Sequence, residues 1–175
     1  RDLRGSALPV YNVNFKQKKA FEKISPRSNK YIFKCFDIAI YLAKKKRIQG
    51  LINCPISKQT LFKNSDTGIT EFISKKMKAK NKEVMLIYNK KLAVSPLTTH
   101  IAISQVSKKI NKIKIINKVK IINSFYMNFF KKRPKIAILG LNPHSYSKSK
   151  KSEEKTIITR AITILKKSKI NVYGP

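Results

Sequence analysis

The chain contains two histidines, and each follows a stretch that reads as the tail of a strand. His144 comes directly after Ile136-Ala137-Ile138-Leu139-Gly140-Leu141-Asn142-Pro143, an apolar run closed by a glycine and an Asn-Pro break. That pattern predicts a buried strand that stops abruptly. His100 follows Leu92-Ala93-Val94-Ser95-Pro96-Leu97-Thr98-Thr99, a second extended apolar stretch. In open α/β sheets, ligands bind in the crevice beyond the carboxyl ends of the strands. Two imidazoles delivered there supply half of a divalent-metal site, and such an ion polarises a hydroxyl or carbonyl as a Lewis acid. Spacing alone leaves the plainer reading open, in which each histidine is an ordinary hydrogen-bonded residue. No H-E-x-x-H, G-x-S-x-G, Walker A or G-x-G-x-x-G pattern occurs, so the common metalloprotease, hydrolase and nucleotide-loop signatures are missing.

The elements that must position these residues follow from periodicity. Tyr31, Ile32, Cys35, Phe36, Ala39, Ile40, Leu42 and Ala43 form an apolar stripe at helical spacing, closed by Lys44-Lys45-Lys46-Arg47. Cations suit the carboxyl end of a helix. Leu51 to Ile56 reads as a short buried strand, after which Ser57 is placed to cap a helix carrying Leu61 and Phe62. A polar loop over 64–68 leads into Ile69-Thr70-Glu71-Phe72-Ile73, with Thr70 the expected N-cap and its amides open to an anion. Val84–Tyr88 and Leu92–Leu97 suggest a hairpin. A helix from about Ser104 carries Val106 and Ile110 and breaks near Asn111. Ile113, Ile116, Val119, Ile122, Phe125, Tyr126 and Phe129 then define an amphipathic helix ended by Pro134. After His144 come a polar loop to Ser152, a helix opened by Glu153-Glu154 with Ile157, Ile158, Ala161, Ile162 and Leu165 inward, and a last strand at 170–173. Alternating helices and strands indicate α/β architecture.

Composition narrows the class. At 42% hydrophobic, 175 residues can bury a core. Lys+Arg total 40 against 8 acids, a net charge of +32, which raises a polyanion as partner. Only six of these cations are arginines, and the lysines are spread along the chain instead of gathered on one face. That distribution favours drift in composition over specific nucleic-acid recognition, since arginine dominates base-edge contacts. Cys35 and Cys54, without a C-x-x-C, are expected as buried free thiols of a reducing compartment. The apolar runs are too short and lysine-punctuated for a membrane span, and no signal peptide is visible, so a cytoplasmic location is expected.

Several segments in order resemble the family of 4-hydroxythreonine-4-phosphate dehydrogenase, the pyridoxine-biosynthesis enzyme, and its relatives acting on phosphorylated four-carbon acids. Asn53-Cys54-Pro55-Ile56-Ser57-Lys58 is similar to the family's T-x-P-I-x-K. Thr67-Gly68-Ile69-Thr70-Glu71-Phe72 is similar to G-H-T-E-F, Leu97-Thr98-Thr99-His100-Ile101 to T-T-H, and Leu139-Gly140-Leu141-Asn142-Pro143-His144 to G-L-N-P-H. Glu153-Glu154 and Gly174-Pro175 fall where the family has E-E and G-P. The resemblance covers roughly 28–175, and 1–175 is expected to be one partial α/β dehydrogenase domain.

The resemblance implies a two-subdomain fold like that of isocitrate and isopropylmalate dehydrogenases, here incomplete at both ends. It implies a homodimer with the active site in the interface cleft. It further implies oxidation of the secondary alcohol of 4-phosphohydroxy-L-threonine with NAD or NADP, followed by decarboxylation. The partner set is then a phosphorylated hydroxy-amino acid and a second subunit, with no specific nucleic acid and no membrane. His100 and His144 fall on two of the family's three metal histidines, the metal being Zn, Mg or Co, and the third ligand is absent from this chain. Thr70 falls on a substrate-binding position. Two departures stand out: Ile69 replaces the family histidine of G-H-T-E-F, and Ser145 to Lys151 replace the glycine-rich stretch after N-P-H. They make a catalytically dead or truncated relative one alternative, and a basic nucleic-acid-binding protein another.

Overall fold

A computed structural model describes residues 8–63, 68–79, 82–145 and 152–175. The loop expected at 64–67, with Thr67 of the Thr-Gly-Ile-Thr motif, and most of the altered loop after His144, 146–151, lie outside the described residues. The chain divides into two compact units, Arg1–Glu83 and Val84–Pro175.

In the first unit, α1 spans Asn29–Lys44 and buries Phe36 and Ile40, two positions four residues apart on one face, as the stripe predicts. The short α2, Lys58–Phe62, starts at Ser57, whose Oγ accepts from the Thr60 amide at 3.3 Å. The third helix, α3, spans Ile69–Lys76. Rings join the three. Phe72 of α3 lies 5.5 Å from each of Phe33, Phe36 and Phe62, in tilted and edge-on geometries that favour aromatic quadrupoles. Ser74 is buried, and its hydroxyl is held by the Ala79 carbonyl and the Glu83 carboxylate, each at 2.9 Å.

Leu51 to Ile56 is not the buried strand that its composition suggests. Ile52 is 101% exposed, Cys54 is exposed and Cys35 is only half-buried, which corrects the expectation of two buried thiols. A strand exists only where a neighbour takes its amides and carbonyls, and among the described residues none pairs with this segment.

The second unit opens with a minimal hairpin. Ile87 and Val94 exchange both backbone bonds, at 2.8 and 2.9 Å, around an Asn89 turn whose Oδ1 accepts from the Lys91 amide. A one-turn α4, Val106–Lys109, ends before Asn111, whose Oδ1 caps α5, Lys112–Phe125, by accepting from the Lys114 amide at 2.8 Å. The buried positions of α5 are Ile115 and Val119, with Ile116 beside them. Ile113, expected inward, faces solvent, so the apolar stripe is rotated from the predicted one. A π-helical turn, Tyr126–Phe130, continues it and stops at Lys131 in a left-handed conformation.

Two strands follow: β1, Ile136–Ala137, and β2, Val172–Tyr173, are parallel, with Ile136 opposite Val172. Parallel neighbours need a crossover, here a π-helical turn, Glu154–Ile158, leading into α6, Thr159–Lys167. The face of α6 reads as the sequence predicts: Ile158, Ala161, Ile162 and Leu165 pack on Ile115 and Val119, with Val172 beneath. Burying a Leu165-sized side chain contributes about 2–3 kcal/mol. The strand before His144 is one-sided instead of fully buried. Ile136 and Ile138 meet the core, while Leu139 is 81% exposed. Gly174, at φ +107°, lies so close to the Ile138 carbonyl that a Cβ has no room.

Candidate functional site

The last ladder bond of β1 runs from the Ile138 amide to the Tyr173 carbonyl at 2.8 Å, and then the chain turns. Pro143–Ser145 form a tight 3₁₀ turn closed by the Ser145 amide donating to the Asn142 carbonyl at 3.1 Å. Within it His144 has φ 59°, ψ 13°, and Ser145 has φ 50°. Non-glycine residues in this left-handed region are uncommon, though histidine tolerates it better than most. Such a backbone costs on the order of 1–3 kcal/mol and persists only where the surroundings over-determine it.

The surroundings here are Glu154. Its carboxylate, 3% exposed, reaches back from the start of the crossover helix to the strand exit. Oε1 accepts from the Leu141 amide at 3.0 Å, the Asn142 amide at 2.8 Å and Asn142 Nδ2 at 3.1 Å. Oε2 accepts from Asn142 Nδ2 at 2.9 Å, and Glu153 Oε2 takes the same group at 3.1 Å. The Asn142 amide and side chain, together with the Leu141 amide, stabilise the charged form. They outweigh burial, which pushes the other way, and hold the Glu154 carboxyl down at about 2 against an ordinary 4.5. Ser152 anchors the helix start, its carbonyl accepting from the Thr156 amide at 2.9 Å and the Thr156 hydroxyl at 2.8 Å. Little in the sequence announces this arrangement. An acidic pair ahead of an apolar helix reads as ordinary first-turn charge, and nothing in its spacing says that one carboxylate folds back onto the Asn-Pro break.

His100 shares the backbone state of His144, with φ 53°, and both rings are exposed in the same unit. The segment leading to His100 is tied to α5 by Lys118, whose Nζ donates to the Pro96 carbonyl at 3.1 Å. Among the described residues neither imidazole makes a hydrogen bond or ion pair, and no group of three or more His, Cys, Asp or Glu is placed to hold a metal. The donors fit a divalent metal in type, since neutral imidazole is its usual nitrogen ligand. They fall short in number of the three that a catalytic zinc takes.

Thr70 and Ile69 belong to the first unit. Thr70 is not the N-cap that its sequence context suggests. The cap is Gly68, because the Gly68 carbonyl accepts the first helical bond, from the Phe72 amide at 3.0 Å. Thr70 sits one residue into the helix and is exposed, Ile69 is half-buried, and the Glu71 carboxylate folds over Gly68 where a Cβ would sit. Phe72, the motif's last residue, is the anchor of the ring cluster.

Comparison with known proteins gives a consistent picture. A family model described as "Pyridoxal phosphate biosynthetic protein PdxA" matches residues 2–175. The 4-hydroxythreonine-4-phosphate dehydrogenase of Sulfurihydrogenibium sp. (strain YO3AOP1) is 38% identical over 135 residues, 75% of this chain and 42% of that protein. The D-threonate 4-phosphate dehydrogenase of Salmonella typhimurium is 27% identical over 173 residues, 96% of this chain and 53% of that protein. A solved Salmonella typhimurium structure, assigned as a 4-hydroxythreonine-4-phosphate dehydrogenase, superposes with a TM-score of 0.78 at 27% identity. It covers 91% of this chain and 50% of its own. The chain thus spans about half the length of the relatives it matches.

Proposed function

Because the chain belongs to the pyridoxal phosphate biosynthetic protein PdxA family, we propose that it serves an NAD- or NADP-dependent oxidation of the secondary alcohol of 4-phosphohydroxy-L-threonine, followed by decarboxylation. The observation that supports this best is the G-L-N-P-H turn. An exposed imidazole stands at a strand exit, on a left-handed backbone fixed by a buried carboxylate. His100 and His144 are the proposed ligands of a divalent ion (Zn, Mg or Co), completed by a histidine that this chain lacks. That ion, when bound, supplies Lewis-acid polarisation of a substrate oxygen. The residues of the chain contribute orientation: the turn presents His144, the hairpin-to-helix segment presents His100, and Thr70 on α3 offers a hydroxyl to the substrate. The finer fold in this reading is the two-subdomain isocitrate/isopropylmalate dehydrogenase type, incomplete here, working in a cytoplasmic homodimer. Among the described residues no helix is long and apolar enough to cross a membrane.

A second substrate, D-threonate 4-phosphate, is raised by the Salmonella typhimurium relative named for it, 27% identical over 96% of this chain. The half-buried Ile69, unable to hydrogen-bond where the family has histidine, also favours a catalytically dead relative. NAD(P)H production by the protein, with each phosphorylated acid and each nucleotide, separates these. The proposal expects turnover of 4-phosphohydroxy-L-threonine that His144→Ala abolishes. Turnover of D-threonate 4-phosphate alone moves the substrate, and no turnover with any pair leaves the dead relative. A basic nucleic-acid-binding role predicts sequence or structure preference in RNA or DNA binding. The enzyme reading predicts only shallow, indifferent, salt-sensitive attraction.

A further inference from the structure

We propose that Glu154 is a positioning residue for His144. Its buried carboxylate clamps the exit of β1 so that the backbone from which His144 projects is set before any ion arrives. The inference rests on the reading of His144 as a ligand. It follows from where the bonds of Glu154 go. A residue that only capped its own helix would spend its oxygens on the amides of the first turn; this carboxylate takes its own main-chain amide there, but its other bonds reach twelve and thirteen residues back, to Asn142 and Leu141. Asn142 is gripped twice, through its main chain and its side-chain amide, and its own carbonyl accepts the Ser145 amide that closes the turn around His144. The path from the carboxylate to the His144 main chain is therefore one hydrogen-bonded turn.

Two features make the clamp an aid to function more than to folding. The backbone that it fixes is left-handed at two successive non-glycine residues, His144 and Ser145. Glu154 also opens a π-helical turn, Glu154–Ile158, an irregularity often found where a side chain must be re-aimed. Groups that orient metal ligands from behind commonly change affinity by about 10–100-fold when removed.

The test pairs amide hydrogen exchange with Co²⁺ titration of the protein in its longest native form, comparing Glu154→Ala, Glu154→Gln and His144→Ala. The clamp predicts that Glu154→Ala speeds exchange of the Leu141 and Asn142 amides at least tenfold and weakens Co²⁺ binding about tenfold. Exchange along Thr159–Lys167 should stay unchanged. Glu154→Gln, which keeps one acceptor oxygen, falls between and carries the test if the alanine variant does not fold. Co²⁺ affinity within twofold of the parent in both Glu154 variants, while His144→Ala weakens it, overturns the positioning role and leaves the ligand reading standing. Unchanged affinity in His144→Ala overturns the ligand reading, and the positioning role falls with it. Faster exchange spread evenly over the crossover helix marks Glu154 as a structural cap only, and also overturns the proposal.

Discussion

In the first unit four phenylalanines meet at centroid distances of 5.5–6.3 Å, and no strand pairs among the described residues. In the second, aliphatic side chains of two helices lock onto a parallel strand pair, and the buried residues run from Ile110 to Val172. The two solutions suit different tasks. A ring cluster holds a helix by broad contact while its exposed face, with Thr70, remains open. A strand ladder fixes the chain to within a hydrogen bond, and the residue after its end inherits that precision. The second unit adds a fully buried carboxylate at that end; the described acids of the first are more exposed, Glu83 holding Ser74 from a half-buried position and the pairs Lys76–Asp37 at 2.8 Å and Arg27–Glu22 at 3.5 Å lying towards solvent.

The sharpest way to break this contrast is to open the aliphatic core. Leu165→Ala, at a fully buried position of α6, should cost about 2–5 kcal/mol in denaturant unfolding; a loss well under 1 kcal/mol means that the α5–α6 seam is not the core. Acid should act next. Glu154 has a folded value of about 2, below its ordinary 4.5, so its contribution is fully present above about pH 5. It is lost as pH falls towards 2, because protonation then costs more in the folded state. A Tm-against-pH curve should show this fall, and Glu154→Gln should flatten it. An unchanged slope in the variant contradicts the clamp's charge. Phe72→Ala should cost about 1–3 kcal/mol, less than a fully buried ring, because Phe72 is half-buried. Lys76→Ala, breaking a pair whose side chains are 44% and 53% exposed, should change stability by about 0.5 kcal/mol or less, as read in the same unfolding experiment.

How much of this was legible in the sequence depends on whether a feature is local. Helix faces were: Phe36 with Ile40, and Ile158 through Leu165, are set by a period of 3.6 that the chain carries in itself. The cap at Ser57 is legible for the same reason, while Asn111 reads only as a break and its capping of α5 is seen in the structure. Leu51–Ile56 has the composition of a strand and is not one, because a strand's identity lies in its neighbour, and apolar composition cannot supply one. Ile113 faces solvent because two apolar stripes run along α5, and only α6 chooses between them. For the site, the motif positions of His100 and His144 were readable, but their shared left-handed backbone and the reach of Glu154 are tertiary facts. Thr70 shows the opposite failure. A good capping residue lies two positions too late, and Gly68 takes the role.

The proposal to be tested is that His100 and His144 bind one metal ion, His144 from the turn that follows β1. X-ray absorption of the zinc-loaded protein in its longest native form tests it most directly. The account predicts a first shell of imidazole nitrogens at about 2.0–2.1 Å, with one nitrogen lost in His100→Ala and one in His144→Ala. A shell that neither substitution alters contradicts it.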